Sequence, residues 1–309
     1  MSLRFASAFG LQTPPLPKGP PYLCLDLIDW VGFPFWLEPY DSRLIDIHHG
    51  EPAPTPPLEN LEGMIRYWEE HPEWMDMLNP QSPVFEDKQI ESALYLDFWG
   101  NHVPVEKKVL DIGGGVGRIT QILLQKNCSI DLVDPDLRSL WRAVSMAAGG
   151  PGSLDVHWST GEHMPDLGVF DCAVACEVLN YVEDPQKIVD RIYTSLKPGG
   201  TLLISLEARW GWAMSSDVAA GSIESFFTDG IVHVPHDRWI RTYTREDVIK
   251  LLYRFSSIQL QPSHYAFSGP FEMATGLLPL EKAIKIERRF RNHPIACKLN
   301  RAWMVIAHK

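Results

Sequence analysis

The stretch Val109-Leu110-Asp111-Ile112-Gly113-Gly114-Gly115-Val116-Gly117-Arg118 constrains the fold more than any other. Val109 and Leu110 close a short apolar run that reads as a strand, with Asp111 at its carboxyl end. The glycines that follow let the backbone turn sharply and approach something closely. Ile119, Ile122, Leu123 and Leu124 then recur at helical spacing. Strand, tight turn and helix start are thus written in one decapeptide. Alone, the turn is compatible with a structural role or with a nicotinamide or flavin dinucleotide.

The surrounding pattern narrows this. Residues 107–206 alternate between strand and helix signals. Strands are expected at Lys107 to Ile112, Ser129 to Val133, Leu154 to His157, Phe170 to Cys176 and Thr201 to Leu206. Helices are expected over 118–126, 136–147 and Pro185 to Leu196, and Pro198-Gly199-Gly200 reads as a turn. Such alternation predicts an α/β fold with a largely parallel sheet and helices on both faces, its ligand beyond the carboxyl ends of the strands. Asp111 and Asp134 close the first two strands, Gly161-Glu162-His163-Met164-Pro165 follows the third, and Glu177 to Tyr181 follows the fourth. One acidic residue of this kind is readily a helix cap. Four strand ends meeting one cleft are harder to dismiss.

On Val109–Gly117, Val133-Asp134, Gly161–Pro165, Phe170-Asp171 and Leu196-Lys197-Pro198-Gly199-Gly200, the chain resembles the class I S-adenosylmethionine-dependent methyltransferases. The resemblance covers roughly residues 105–206. It implies a Rossmann-like seven-stranded sheet, with S-adenosyl-L-methionine as methyl donor and S-adenosyl-L-homocysteine as product. It also implies that Asp111, Gly113, Gly114, Gly115 and Gly117 line the methionine half of the cofactor, and that Asp134, with Pro135 beside it, holds the ribose hydroxyls. Glu162 and His163 would lie near the adenine and Met164 would pack on its ring. Cys176, Glu177 and Asn180 would approach the cofactor or the methyl acceptor. Electrostatics agree. A dinucleotide site needs backbone amides around a doubly charged pyrophosphate. Asp111 is badly placed for that anion and well placed for a cofactor carrying an ammonium and a sulfonium.

Composition bounds the rest. The chain has 309 residues and a formal charge of -11, which argues against a nucleic-acid backbone as partner. Arg288-Arg289-Phe290-Arg291 is too short a basic run to change this. Cys24, Cys128, Cys172, Cys176 and Cys297 are scattered, as reduced thiols are, and no second cysteine pair completes a zinc site. No metal is called for. The N-terminus lacks a signal-peptide pattern and no run of 18 apolar residues suggests a membrane span. The expectation is a soluble, cytoplasmic protein.

Residues 1–104 are expected to form an N-terminal arm and helical cap. Prolines crowd Pro14 to Pro21 and Pro52 to Pro57 around an aromatic run from Tyr22 to Tyr40, a wall for an apolar pocket or a homodimer contact. Helices are expected around Leu61 to Trp68 and from Phe85 to Trp99. Residues 105–309 would be the methyltransferase domain, with cap insertions at 207–240 and 261–301. Thr244-Arg245-Glu246-Asp247 caps a further helix, Leu280 to Phe290 is another, and Ser257 to Leu260 and Ala302 to Ala307 supply the last two strands.

Trp210, Trp212, Phe226, Phe227, Tyr265 and Phe267 are candidate acceptor walls, against the plainer reading that they only pack. His233 or His236 is the candidate base, since imidazole titrates near neutrality, and Arg238 or Arg241 the candidate acceptor anchor. The expected reaction is direct displacement, most of it alignment and desolvation. The expected acceptor is a small or medium organic molecule, with an oxygen in a secondary metabolite, antibiotic biosynthesis included, ahead of nitrogen or carbon. A peptide, protein or carrier-bound acceptor is the alternative, and a fold kept without catalysis a third reading.

Overall fold

The computed structural model describes residues 3–5, 76–147, 151–213, 222–234, 238–265 and 279–309. The proline- and aromatic-rich arm, the helix expected near Leu61, His236 and Phe267 lie outside the described residues.

Strands β2 (Lys108–Ile112), β3 (Ser129–Asp134), β4 (Ser153–Trp158), β5 (Phe170–Cys176) and β6 (Leu196–Glu207) run parallel. Their near-continuous burial suits strands covered on both faces. Helices α2 (Arg118–Gln125), α3 (Leu137–Met146) and α4 (Pro185–Ser195) make the crossovers. The Asp136 carboxylate accepts from Ser139 N at 3.2 Å at the start of α3. Asp184 accepts from Lys187 N at 2.9 Å at the start of α4, with proline at the first helical position. Strand β10 (Ala302–His308) inserts antiparallel beside β6, and β9 (Ser257–Ser263) pairs antiparallel with β10.

The resulting order is β1-β4-β3-β2-β5-β6-β10-β9, an eight-stranded sheet. It contains the expected strands plus one. The addition is β1 (Leu3–Phe5), which pairs antiparallel with β4 at the edge, within the segment expected only to form an arm. The chain winds outward from β2 to β4, then returns to place β5 on the other side of β2. The topological switch point therefore lies between β2 and β5, and a crevice opens beyond their carboxyl ends.

Side chains alternate between two cores. On β5, Ala173 and Ala175 pack with Ile188, Val189 and Ile192 of α4, whereas Cys172 and Val174 pack with Ile119 and Leu123 of α2. Helix α1 (Phe85–Trp99), at the expected bounds, adds Tyr95 and Trp99 to the second core. Its Ile90 and Leu94 meet Ala283 of α8 (Leu280–Phe290), which follows α5 (Arg209–Trp212), α6 (Ile223–Thr228) and α7 (Arg245–Leu251) in the chain. The last helix is α9 (Ala296–Leu299). Helix α7 opens with the expected capping box of Thr244 and Asp247.

Two further expectations are corrected. The Pro198-Gly199-Gly200 turn is absorbed into β6, which opens at Leu196 with a register shift opposite Phe170 and Cys172. Residues 231–241 contain a two-stranded ribbon, β7 (Ile231–Val234) with β8 (Arg238–Arg241), where no strand was expected. Val232, Val234 and Ile240 form its buried face with Trp212 and Phe226, so tertiary contact turns a weak local pattern into strand.

Candidate functional site

The glycine turn is built from the backbone outward. Gly113 N–H donates to Val133 O at 2.7 Å and Gly117 N–H to Gly114 O at 2.9 Å. Gly113 has φ +63°, and a Cβ there would collide with Val178. A Cβ on Gly114 would sit 2.9 Å from Asp111 Oδ2 and from Leu132. Gly115 by contrast opens onto free space. Its N–H donates to Asp134 Oδ2 at 2.9 Å, which ties the turn to the end of β3.

Asp111 and Asp134 are both buried. Burial pushes the Asp111 carboxyl up to about 6, against a 2.6 Å hydrogen bond from Thr120 Oγ1 and the charge of Arg118. Burial and then the Asp136 charge push Asp134 up to about 7, against N–H groups of Asp136 and Gly115. Asp136 N donates to Asp134 Oδ1 at 2.8 Å. Both carboxylates gain from a ligand that brings positive charge or hydroxyl donors.

Glu162 lies in the loop after β4, and its Oε1 is buried with no hydrogen-bond partner among the described residues. Such an atom calls for an N–H donor. His163 Nδ1 lies 3.0 Å from Thr160 Oγ1. Met164 is buried in the core, where its carbonyl accepts from Arg191. Pro135 O accepts from Trp158 Nε1 at 2.8 Å. An S-adenosylmethionine fits these residues on three counts: open space over Gly115, two acidic strand ends, and the orphaned acceptor on Glu162.

The other expected site residues divide. Cys176 ends β5 half-buried, and burial drives its thiol far above the usual range. Glu177 follows with φ +59° and its carboxylate held by Lys88, Tyr95 and Arg118. Asn180, expected to face substrate, braces its neighbours through its oxygens and keeps a buried Nδ2 with no hydrogen-bond partner among the described residues. Its Oδ1 accepts from Glu207 N at 2.9 Å and its carbonyl from Arg241 N at 2.8 Å, and it is fully buried. Arg241 Nη2 donates to Glu183 O at 3.3 Å, and Arg238 opens β8. Trp212 is a packed residue whose indole donates to Glu207 Oε2 at 2.6 Å. Phe226 is buried beside it, whereas Trp210 and Phe227 are exposed. Tyr265 is buried and its hydroxyl donates to Glu287 O on α8. His233, expected as a base, has an exposed ring on the ribbon face opposite Val232 and Val234. Strand alternation puts it there.

A buried polar cluster adds residues outside the candidate set, apart from His264, which opens the 264–271 segment expected to contact the acceptor. Lys88, Glu91 and Tyr95 of α1, Arg118, Glu207, His264 and Arg301 gather about Glu177. Two signals were available. Arg118 directly follows the glycine turn. Lys88, Glu91, Ser92 and Tyr95 recur at helical spacing on one face of α1.

Comparison with known proteins agrees with the geometry. The family model described as a methyltransferase domain matches residues 85–255, from the first residue of α1 to just past α7. The chain belongs to this family, that of the S-adenosylmethionine-dependent methyltransferases with a Rossmann-like sheet. A ubiquinone biosynthesis O-methyltransferase of Xylella fastidiosa is 28% identical over 135 residues, 43% of this chain and 53% of that protein. One from Chromobacterium violaceum is 31% identical over 139 residues, again 43% of this chain and 56% of that one. The chain thus spans about half the length of the curated relatives it matches. Among solved structures, magnesium protoporphyrin IX methyltransferase from Synechocystis PCC 6803 with bound SAH shares the fold. Its TM-score is 0.51 at 12% identity, over 82% of this chain and 99% of that one.

Among the described residues no helix is long and apolar enough to cross a membrane.

Proposed function

We propose that the chain transfers the methyl group of S-adenosylmethionine to an oxygen of a small or medium organic acceptor. The observation that carries the reading is the pair of buried acids at the ends of β2 and β3, Asp111 and Asp134, beside a glycine turn that is open at Gly115, with the partnerless Glu162 Oε1 in the loop after β4. The cofactor supplies a methyl carbon made electrophilic by its sulfonium. Asp134 holds the ribose hydroxyls, Glu162 accepts from the adenine amino group, and Asp111 faces the cationic methionine end. The names of the curated relatives, O-methyltransferases of ubiquinone biosynthesis, favour oxygen over nitrogen or carbon. The acceptor then belongs to secondary metabolism or to quinone synthesis. Residues 1–104, through α1, and the 261–301 connection, through α8, serve as its cover. The N-terminal arm is proposed to contact either the acceptor or a second copy of the chain, in the cytoplasm.

The test is titration of the full chain with S-adenosylhomocysteine by calorimetry, followed by labelled-methyl transfer to phenols, carboxylic acids and amines. Binding and methylation of an oxygen acceptor are expected. Absence of S-adenosylhomocysteine binding would overturn the reading. Methylation of amines alone would keep the donor and replace the acceptor.

A further inference from the structure

Helix α1 runs from the ligand edge of the sheet to the opposite one. Near its start Lys88 meets Glu177, which follows β5. Past its end the His102 ring lies 5.2 Å from that of His308, which closes the antiparallel β10. The first turns of α1 are thus delivered to the carboxyl ends of the parallel strands. They meet Arg118 there, whose charge also acts on Asp111.

Two carboxyl groups at this edge are held unequally. Glu177 has both oxygens engaged: Oε1 accepts from Tyr95 Oη and from Arg118 Nη2, each at 2.7 Å, and Oε2 from Lys88 Nζ at 2.8 Å. Glu91 is held by one oxygen. Its Oε2 accepts from Lys88 Nζ at 2.7 Å and from Arg118 Nη1 at 3.3 Å. Its Oε1 accepts from no donor among the described residues, yet it is not sealed from solvent. The side chains of Lys88, Glu91 and Glu177 keep 18%, 19% and 20% of their surface exposed, whereas Arg118 keeps 9%. The cluster therefore has an open side, and Glu91 Oε1 reaches it. Proton affinity divides in the same way. Burial and then the Glu177 charge push the Glu91 carboxyl up to about 7, against Lys88 and Arg118. Against burial, Lys88 and Arg118 hold Glu177 well below the usual carboxylate range. Lys88 and Tyr95 face Glu91 from its own helix, Arg118 from α2, and Glu177 from the end of β5. Glu207 at the end of β6 and His264 after β9 act on Lys88 and Glu177, with Arg301 beside both. On α8, Arg288 and Arg291 pair with Asp97, and Glu287 accepts from the His264 N–H at 3.2 Å.

We propose that Glu91 takes the proton of the methyl acceptor, its Oε1 receiving the acceptor's O–H hydrogen while Lys88, Arg118 and Glu177 hold its carboxyl in place. This rests on the oxygen-methylation reading and supplies its proton acceptor. The acceptor oxygen bonds to the methyl carbon as that carbon's bond to sulfur breaks, and the electron pair of the broken bond stays with sulfur. The O–H bond breaks, its electron pair stays on oxygen, and its proton passes to Glu91. The protonated Glu91 shares a hydrogen bond with Glu177 and later returns the proton to solvent on the open side. A carboxyl that titrates near neutrality can both accept and release the proton at the working pH. Lys88 and Arg118 keep Glu177 ionised throughout. Glu177 is thus a positioning residue, and Glu91 is the catalytic one.

The test uses the full chain labelled with carbon-13 at the glutamate side-chain carboxyls and saturated with S-adenosylhomocysteine. One carboxyl resonance should titrate with a midpoint of about 7, be missing from Glu91→Gln, and move when 4-nitrophenol is added. The Gln amide imitates the protonated acid, so S-adenosylhomocysteine affinity should hold in that variant. Turnover is then measured with phenol and with pentafluorophenol, which ionises without help. Glu91→Gln should lower turnover of phenol about 100-fold or more and that of pentafluorophenol far less. Wild-type turnover of phenol should rise as pH rises through about 7, since Glu91 must be ionised to accept. Glu91→Asp should keep this limb, and Glu91→Gln should lose it. A Glu91 resonance that ignores 4-nitrophenol, wild-type phenol turnover in Glu91→Gln, or equal losses with the two phenols overturns the proposal. Equal losses are what a merely structural ion pair would give. S-adenosylhomocysteine binding and phenol turnover by the wild type separate each of these from a failure of the oxygen-methylation reading.

Discussion

The crevice has two walls of different construction. The donor wall, over β2, β3 and β4, is made of chain-local parts: a glycine turn, two aspartates at strand ends and a glutamate in the next loop. The wall proposed for the acceptor, over β5, β6, β10 and β9, is made of side chains from α1, α2 and the C-terminal strands that meet only in the folded molecule. On the donor wall, backbone N–H groups hold Asp134 and the turn. On the acceptor wall, charges hold charges. Damage to the first should show in binding, and damage to the second first in stability.

The largest effect is expected from Glu177→Ala. It leaves Lys88 and Arg118 without their shared carboxylate, and removing one partner of a buried ion pair costs about 3–5 kcal/mol. Urea unfolding measures it, and a cost below about 1 kcal/mol, the range of exposed pairs, would show that the cluster does not support the wall. Asp134→Ala comes next but on the other axis. Loss of a charged acceptor for ribose hydroxyls should weaken S-adenosylhomocysteine roughly 100-fold by calorimetry, at 1.5–3 kcal/mol or so per charged hydrogen bond. Unchanged affinity removes its ribose role. If Asp134→Ala instead unfolds the protein as readily as Glu177→Ala does, the contrast between the walls collapses.

Gly114→Ala puts a methyl 2.9 Å from Asp111 Oδ2 and Leu132. Overpacking of this kind costs about 1–3 kcal/mol, and here it should fall partly on cofactor affinity because Asp111 must move. The pH dependence is smaller and has opposite signs for folding and binding. Asp111 and Asp134 have folded values near 6 and near 7, above the 3.8 of the unfolded chain. The folded state therefore binds more protons between these limits, and their contribution to stability grows as pH falls through 7 and 6 toward 4. Affinity for the cationic cofactor should fall over the same window, because the carboxylates that attract it are neutralised. Calorimetry of S-adenosylmethionine from pH 8 to pH 5 checks this, and Asp134→Asn should flatten the curve. The smallest effect is expected from Phe227→Ala, since Phe227 is 73% exposed and such changes stay within about 0.5 kcal/mol. A marked rise in acceptor KM would extend the acceptor wall onto α6.

The same contrast sets how much was legible beforehand. Phe85–Trp99, Phe170–Cys176 and Leu280–Phe290 stand at their expected bounds because apolar periodicity is a local property. The ribbon β7–β8 and the edge strand β1 were not legible. They are short and exist through pairing with partners that the local pattern does not name. Trp210 and Trp212 look alike two residues apart, yet one is exposed and the other is locked onto Glu207 and the ribbon. Asn180 and His233 show the same dependence: backbone groups hold the oxygens of one, and strand alternation turns the ring of the other outward.

What the amino-acid order determined by itself was the donor: where the turn falls, which acids end the strands, and hence which cofactor charge is welcome. Those features lie within a strand-turn-helix unit, where neighbours in sequence are neighbours in space. The acceptor wall was decided only by tertiary structure. Lys88, Arg118, Glu177 and His264 are spread over most of the domain, and each is unremarkable alone. Their meaning comes from mutual contact in a buried place, and that contact exists only once β5 and β9 have brought their ends beneath α1.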